Sequence, residues 1–371
     1  MRKKEEKARI AVVIRNFSSF GGGAEKYCVE LVKRLSESFS IHVFTQKSTE
    51  SLENVKFHKV PLILKKPRFI NQILFSFFTM IMIRRQKINI VHSHDLVTHA
   101  NIYTIHVPTI KSSFRTKNLL NKISSYLSPR ILSYLWIEKK QMDTKGRKFI
   151  ISVSDLLKKN ILNNYNIPEH LVKNIPPGIN SVNSNYGDIK SENDLFTILF
   201  VANGFERKGL YNLVESLKNV SLTRIRLLVA GGGIIDRAKI PDKLDHLDIN
   251  FLGVVKDMNK IYPLADVLVH PTLGDTFGMV VLEAMQYKIP VIVSNSEFCG
   301  ISGYLSEDEA IFLEDPRNPI EIGMKINLVI NNKSLKSRLS RNGFNFSTKM
   351  SWEHSAKNTK KLYLDLLNDI N

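Results

Sequence analysis

The stretch from Val269 to Ser294, VHPTLGDTFGMVVLEAMQYKIPVIVS, limits what this chain can fold into more than any other. It parses as a strand over Ala265–Pro271, a polar loop over Thr272–Thr276, a helix over about Phe277–Lys288 and a second strand over Pro290–Ser294. Strand, helix and strand at this spacing make a unit of parallel α/β structure. Asp275 sits in the loop and Glu283 in the helix, with seven residues between them. Glu283 lies among Val280, Val281, Leu282, Ala284 and Met285, so its carboxylate needs hydrogen-bond partners. At the helix start the backbone N–H groups of Phe277, Gly278 and Met279 have no partner within the helix, and such groups bind phosphate readily. Anion donors beside a carboxylate that accepts from hydroxyls suit a phosphorylated sugar. A helix with one glutamate on its wet face is the plainer alternative.

The same rhythm runs along the whole chain. Ile10–Ile14 reads as a buried strand, followed by the loop Asn16–Gly23 and a helix over about Ala24–Ser36. Gly21, Gly22 and Gly23 let backbone approach a ligand and tolerate unusual dihedrals. The loop matches neither GxGxxG nor a Walker loop, so a phosphate site and a bare turn both stay open. Ile41–Gln46 and Lys56–Val60 are further strands. Ile88–His92 runs into Ser93-His94-Asp95, and Ala100–Ile105 into His106-Val107-Pro108-Thr109. Ligands collect beyond the carboxyl ends of parallel strands, which favours substrate contact for His106; His94 reads as a structural histidine. The sequence supplies no third residue for a metal site around them. Phe149–Val153 is a strand, Ser154 caps the next helix, and Ile175–Ile179 closes a first domain.

A polar linker rich in Asn, Ser and Asp follows. The domain expectation is therefore 1–180, a linker over 181–194, a second domain over 195–350 and a terminal helix over 351–371. In the second domain the strand Phe196–Ala202 leads into Asn203-Gly204-Phe205-Glu206-Arg207-Lys208-Gly209 and a helix to about Lys218. Arg207 and Lys208 stand at a strand-to-helix junction, where cations and helix N–H groups jointly hold a diphosphate. Arg226–Ala230 enters the turn Gly231-Gly232-Gly233, Asn250–Leu252 is a short strand, and Asp257–Pro263 reads as a helix. The tail SWEHSAKNTKKLYLDLL is an amphipathic helix marked by Trp352, Leu362, Leu364, Leu366 and Leu367.

Charge separates the two halves. The chain of 371 residues carries a net +18, but residues 1–180 hold 31 Lys and Arg against 12 Asp and Glu, and residues 181–371 hold 22 against 23. Such asymmetry points to an anionic partner for the first half alone, nucleic acid or an anionic membrane. The stretch Lys111–Lys148, basic and with Trp136 and several tyrosines, carries no nucleic-acid module signature, so the membrane or an acidic acceptor is preferred. Ile70–Ile83 is apolar over 14 residues but interrupted by Asn71, Gln72, Ser76 and Thr79. A membrane span needs roughly 20 apolar residues, so this is a buried or interfacial helix. Its flanks, Lys65, Lys66, Arg68, Arg84, Arg85 and Lys87, suit the surface of an anionic bilayer. Ile10–Ile14 is too short for a signal peptide or span, and the two cysteines, Cys28 and Cys299, fit a reducing cytoplasm.

Taken together, GGGAE, VHSHD, TIHVPT, ISVS, PPGIN, FERKG, LLVAGGG, FLGVVKD, the Asp275–Glu283 segment and the SWE…LY tail resemble retaining glycosyltransferase family 4. The resemblance implies a GT-B fold: two Rossmann-like domains with a cleft between them and a C-terminal helix returning to the first. It implies that Glu283 accepts from the nucleotide ribose and that Asp275 lies near the transferred sugar. The backbone of Phe277, Gly278 and Met279 would face sugar and phosphate, with Asn203 nearby, while Arg207 and Lys208 neutralise the departing diphosphate. Gly22 and Gly23 would close over that diphosphate, and His106 would stand near sugar and acceptor. No metal and no resident cofactor is implied; the co-substrate is a nucleotide-diphosphate sugar, UDP-sugar favoured, and the acceptor a lipid-linked or cell-envelope glycan. The basic first domain adds the expectation of a cytoplasmic protein docked peripherally on the inner face of the plasma membrane.

Three departures stand out. Asp275 replaces a glutamate, Arg207 and Lys208 are adjacent rather than separated, and Ile289 stands where a glycine usually precedes the proline. FERKG and FCGISGYL look most like the lipopolysaccharide-core glucosyltransferases. The rival readings are a nucleotide-sugar epimerase of the same fold and a non-catalytic basic protein that binds membrane or nucleic acid.

Overall fold

The computed structural model describes residues 7–114, 128–145, 148–181, 195–221, 224–240 and 247–368. The expected linker lies outside them except for Ser181, as do residues 115–127 and 146–147 of the basic, aromatic stretch. The chain divides into two compact units, Met1–Gly178 with Trp352–Asn371, and Ile179–Ser351.

The first unit is built on β1 (Arg9–Val13), β2 (Asn16–Phe17), β3 (Ser40–Thr45), β4 (Lys47–Ser48), β5 (Val55–Lys59), β6 (Ile90–Ser93), β7 (Ile102–Ile105), β8 (Phe149–Ser152) and β9 (Val172–Asn174). Seven of these form one sheet in the order β5-β3-β1-β6-β7-β8-β9, and every pairing in it is parallel. A strand buried on both faces needs apolar side chains throughout, and Ile10, Ala11, Val12 and Val13 of β1 are all at most 1 % exposed. Strand order reverses at β1 and β6, so the loops after these two strands diverge and leave a crevice between them. The terminal helix Trp352–Asn368 belongs to this unit. Trp352 meets Tyr27 of the first helix edge-on at 5.5 Å, and Ser355 Oγ donates to the carbonyl of Pro176 at 2.7 Å.

The helix Arg68–Arg84 is inside-out. Its polar residues Asn71, Gln72, Ser76 and Thr79 are buried, whereas Ile73 is 38 % and Phe77 49 % exposed. Most of the buried polar groups are matched: Asn71 exchanges amide bonds with Gln46, Gln72 Nε2 donates to the Leu96 carbonyl at 2.5 Å while its Oε1 is left unpaired, and Thr79 Oγ1 donates to Phe75 O at 2.7 Å. Phe75 and Ile83 still face the core, so only part of its apolar surface lies outside. Among the described residues no helix is long and apolar enough to cross a membrane.

The second unit repeats the architecture with β10 (Phe196–Val201), β11 (Ile225–Ala230), β12 (Leu247–Gly253), β13 (Val267–His270), β14 (Val291–Ser294) and β15 (Ile311–Leu313), ordered β12-β11-β10-β13-β14-β15. Order reverses here at β10 and β13. The helix expected over Asp257–Pro263 is instead two short 3-10 turns, Met258–Lys260 and Tyr262–Leu264. Pro263 lacks the N–H that a continuing helix requires. After Gln286 the chain turns through Lys288, whose φ is +57°, into buried Ile289. The left-handed position is thus one residue before Ile289, which needs no glycine.

Candidate active site

In the second unit the two loops at the switch point are clamped together by backbone. Gly209 has φ +80°, and a Cβ there would stand 2.0 Å from the Pro271 carbonyl oxygen. No side chain fits, so the β10 loop comes into direct contact with the β13 loop. Leu273 N–H donates to Arg207 O at 2.9 Å across the same contact. Clamping brings Lys208, only 7 % exposed, onto the carboxylate of Asp275. His270 Nε2 lies 3.1 Å from the same oxygen, Asp275 Oδ2. Burial by itself would raise Asp275, but the His270 hydrogen bond and the Lys208 charge outweigh it and hold the carboxyl well below the usual carboxylate range. Burial lowers His270 against the pull of Asp275, so the imidazole is neutral and donates. Burial lowers Lys208 as well, opposed by Asp275. Arg207 is exposed and donates to the carbonyl of Gly274.

The two adjacent cations differ in setting. Lys208 is already neutralised by Asp275, and Arg207 alone stands in solvent. The expected free N–H groups need correction. The helix begins at Met279 rather than Phe277, and Phe277 N–H donates to Asp275 Oδ1 at 3.3 Å. Gly278 caps the helix at φ +101°, where an added Cβ would lie 2.8 Å from Cys299 Sγ. Asp275 is also fixed by its backbone: its N–H donates to Phe298 O at 2.7 Å, and its carbonyl accepts from Gly300 at 3.0 Å. Glu283, half-buried, has the partner its apolar setting called for, accepting from Tyr262 Oη at 2.8 Å. Asn203 Oδ1 accepts from Gly232 N–H at 2.9 Å, so it braces the glycine turn after β11.

The first unit carries its own cavity, of about 250 Å³, at its switch point. His106 lines it, and so does His94. His94 Nδ1 and His106 Nε2 are 3.1 Å apart, one donating to the other. Behind them His92 bridges Tyr363 Oη and Thr104 Oγ1, each at 2.7 Å. Burial pushes His106 down to about 4 and His92 to about 3, so both are neutral at pH 7. Arg15 Nε meets Asp95 Oδ2 at 2.8 Å on the cavity wall. His94, read from sequence as structural, is thus the direct neighbour of His106. Gly22 and Gly23 are exposed at the start of the first helix, and neither has a positive φ. The unusual dihedrals expected there are absent; a Cβ at Gly21 would instead crowd Glu25 at 2.8 Å. His270, Tyr262, Gln141 and Cys299 were missed in the sequence, because only tertiary contact gives them a role.

Two family models match the chain: "Glycosyltransferase Family 4" over residues 21–182 and "Glycosyl transferases group 1" over residues 185–346. The chain is a glycosyltransferase, with a family 4 domain followed by a group 1 domain. It is 28 % identical over 93 % of its length to an uncharacterized glycosyltransferase of Methanocaldococcus jannaschii, covering 95 % of that protein. Its fold matches the crystal structure of WaaG, a glycosyltransferase involved in lipopolysaccharide biosynthesis, at TM-score 0.82 and 15 % identity, over 94 % of this chain and 98 % of the other. Anabaena HepE, solved in complex with UDP-glucose, matches at TM-score 0.69 and 12 % identity, over 96 % and 99 %. The two parallel-sheet units are accordingly the Rossmann-like halves of a GT-B glycosyltransferase.

Proposed function

We propose that this glycosyltransferase moves a sugar from a nucleoside diphosphate, UDP favoured, to a hydroxyl of a lipid-linked or cell-envelope glycan, with retention and without a metal ion. The observation that carries the reading is the Lys208–Asp275–His270 cluster at the β10/β13 switch point, beside exposed Arg207 and the Gly278 helix start. Ligands of doubly wound sheets bind at such points. HepE, solved with UDP-glucose, supports the donor class. In this reading Arg207 and Lys208 stabilise the leaving diphosphate, an electrostatic role that commonly dominates catalysis. Asp275 holds Lys208 in place and faces the sugar. Backbone at Phe277, Gly278 and Met279 faces sugar and phosphate, Asn203 shapes the glycine turn, and Glu283 takes ribose hydroxyls. Gly22 and Gly23 offer side-chain-free backbone to the donor. The acceptor hydroxyl, beside His106, attacks from the leaving-group face. The anomeric carbon–phosphate oxygen bond breaks, the new glycosidic bond forms, and the acceptor proton passes to the donor phosphate.

The inside-out helix favours work on an anionic membrane surface at the inner face of the plasma membrane. Exposed Ile73 and Phe77 accompany exposed Leu62, Ile63 and Leu64 and the cations Lys65, Lys66 and Arg68. Apolar and basic groups on one face suit a bilayer interface.

Thermal-shift titration with UDP-, GDP- and ADP-glucose, followed by mass spectrometry of products with glycan acceptors, tests the transfer. A shift with UDP-glucose and a glycosylated product are expected. Donor converted with no acceptor present would make the chain an epimerase instead. Flotation with anionic vesicles should bring the protein up at low salt; absence from the vesicle fraction at both low and high salt ends the membrane reading.

A further inference from the structure

Beside the cavity of the first unit lies an open groove of about 980 Å³, the size of sites that take whole small molecules. It lies where the helix Arg68–Arg84 and the helix Pro129–Met142 begin. Lys66, Arg68 and Arg130 line it, all three exposed, and no acidic side chain joins them among the described residues. Nor does any of the three have an ion-pair partner among those residues. Half-buried Phe69, Ile131 and Tyr134 make up much of the remaining lining. Three like charges around one hollow repel one another, and an anion between them relieves the repulsion. Lys66 and Arg68 belong to the basic face already assigned to the membrane surface. Arg130 comes from another helix and turns that face into an enclosed site.

Groove and cavity share their walls. The helix Pro129–Met142 gives Arg130 and Tyr134 to the groove and Glu138 and Gln141 to the cavity. Tyr134 and Glu138 are about one turn apart, roughly 6 Å along the axis. Arg15, on the cavity wall, interacts electrostatically with Tyr134. Its side chain is 34 % exposed, and of its guanidinium only Nε is paired, with Asp95. Cations therefore run from the cavity mouth into the groove. The nearby acids do not offset them: Asp95 is engaged by Arg15, and Glu138 accepts from Ile110 N–H, Lys111 N–H and Tyr165 Oη. Glu25 lines the cavity and not the groove.

We propose that the groove seats a phosphate or diphosphate of the acceptor, held by Lys66, Arg68 and Arg130, while a sugar hydroxyl of the same molecule stands beside His106. The proposal rests on the transferase reading and narrows its acceptor to a glycan joined through phosphate to an apolar chain. Guanidinium groups match phosphate oxygens in pairs, and a lysine adds a point charge. Phe69 and Ile131 meet the start of the apolar chain.

Isothermal titration of the full chain with octyl phosphate below its micelle concentration, and with undecyl diphospho-N-acetylglucosamine, tests this. Both should bind. Arg130→Glu and, in a separate segment, Lys66→Glu should each weaken both ligands by about tenfold or more, the worth of one charge-assisted contact. Lys87→Glu makes the same change of charge outside the groove and should stay within about twofold at physiological salt. Equal weakening by all three variants would assign the effect to general charge and overturn the site, as would absence of octyl phosphate binding. Flotation with phosphatidylglycerol–phosphatidylcholine vesicles separates the two sources of phosphate. If Arg130→Glu abolishes flotation but leaves undecyl diphospho-N-acetylglucosamine binding intact, the phosphate is the bilayer's and the acceptor assignment falls. A UDP-glucose thermal shift on each sample reports folding and keeps the donor reading apart. With that shift present and octyl phosphate unbound, only the groove is wrong; with no shift in the natural chain, the donor reading has failed.

Discussion

The two α/β units place their polar loops at equivalent points of the same sheet plan, where strand order reverses, yet they treat charge in opposite ways. The second unit buries a charged pair, Lys208 with Asp275, and lets a neutral His270 complete it. The first keeps its centre uncharged: His92, His94 and His106 are all pushed down by burial, and the one ion pair, Arg15 with Asp95, stands at the wall. A fixed charge cluster suits stabilisation of a departing diphosphate. Neutral rings suit the orientation of hydroxyls. One fold supports both because the loops beyond the strands, not the sheet, carry the chemistry.

The largest expected break in this comparison comes from Lys208→Ala. It strands Asp275 with no cation, and breaking a buried pair costs about 3–5 kcal/mol. Transfer should also fall by about 10²–10³ from the lost stabilisation of the leaving group. The double variant Lys208→Met with Asp275→Leu should regain much of the stability in urea denaturation while transfer stays lost. Recovery of transfer along with stability would mean that the cluster serves only the fold.

Glycines sharpen the contrast at intermediate size. Gly209→Ala meets a carbonyl oxygen at 2.0 Å in a left-handed conformation, so the clamp must open. A loss of about 2 kcal/mol or more and weaker donor binding are expected, because strained backbone positions cost of order 1–3 kcal/mol before any clash is counted. Gly23→Ala has nothing within 4 Å and no positive φ, and the change should be within ~0.5 kcal/mol. Comparable losses at the two positions would remove the distinction.

The smallest effect is on pH. His92 titrates at about 3 and His106 at about 4 in the folded chain, against an ordinary 6.5. Between these values the unfolded chain binds protons that the folded one does not, so stability is lost as pH falls below 6.5. Each such histidine contributes a slope of about 1.4 kcal/mol per pH unit until its folded value is reached. Asp275 is depressed, so the stability it contributes persists at neutral pH and is lost only in strong acid. Hydrogen exchange at pH 7 and pH 5 should therefore show the first unit losing protection before the second. Simultaneous loss in both would place the acid sensitivity elsewhere.

Much of the fold was legible from periodicity. Ile10–Ile14, Phe196–Ala202 and Pro290–Ser294 read as buried parallel strands and appear as β1, β10 and β14 within a residue or so, because a strand covered on both faces can only be apolar. The inside-out helix was half legible: its length and interruptions were plain, but which side faced the sheet was not. Asn71, Gln72, Ser76 and Thr79 look like the wet face until Gln46, Leu96 and Thr98 are seen to receive them.

By itself the sequence determined two α/β halves, the basic excess of the first, and the positions of Asp275, Glu283, Arg207, Lys208 and His106, since each follows from residue type at a strand or helix end. Only the tertiary structure decided that Lys208 belongs to Asp275, that Phe277 N–H is already engaged, that His94 backs His106, and that Gln141 holds the Asp95 carbonyl. Those facts join residues 67, 2, 12 and 46 positions apart, the last by way of the Asp95 carbonyl. Local pattern sets which element a residue joins. Pairing of buried polar groups is settled only when loops from distant strands meet and water is removed from between them.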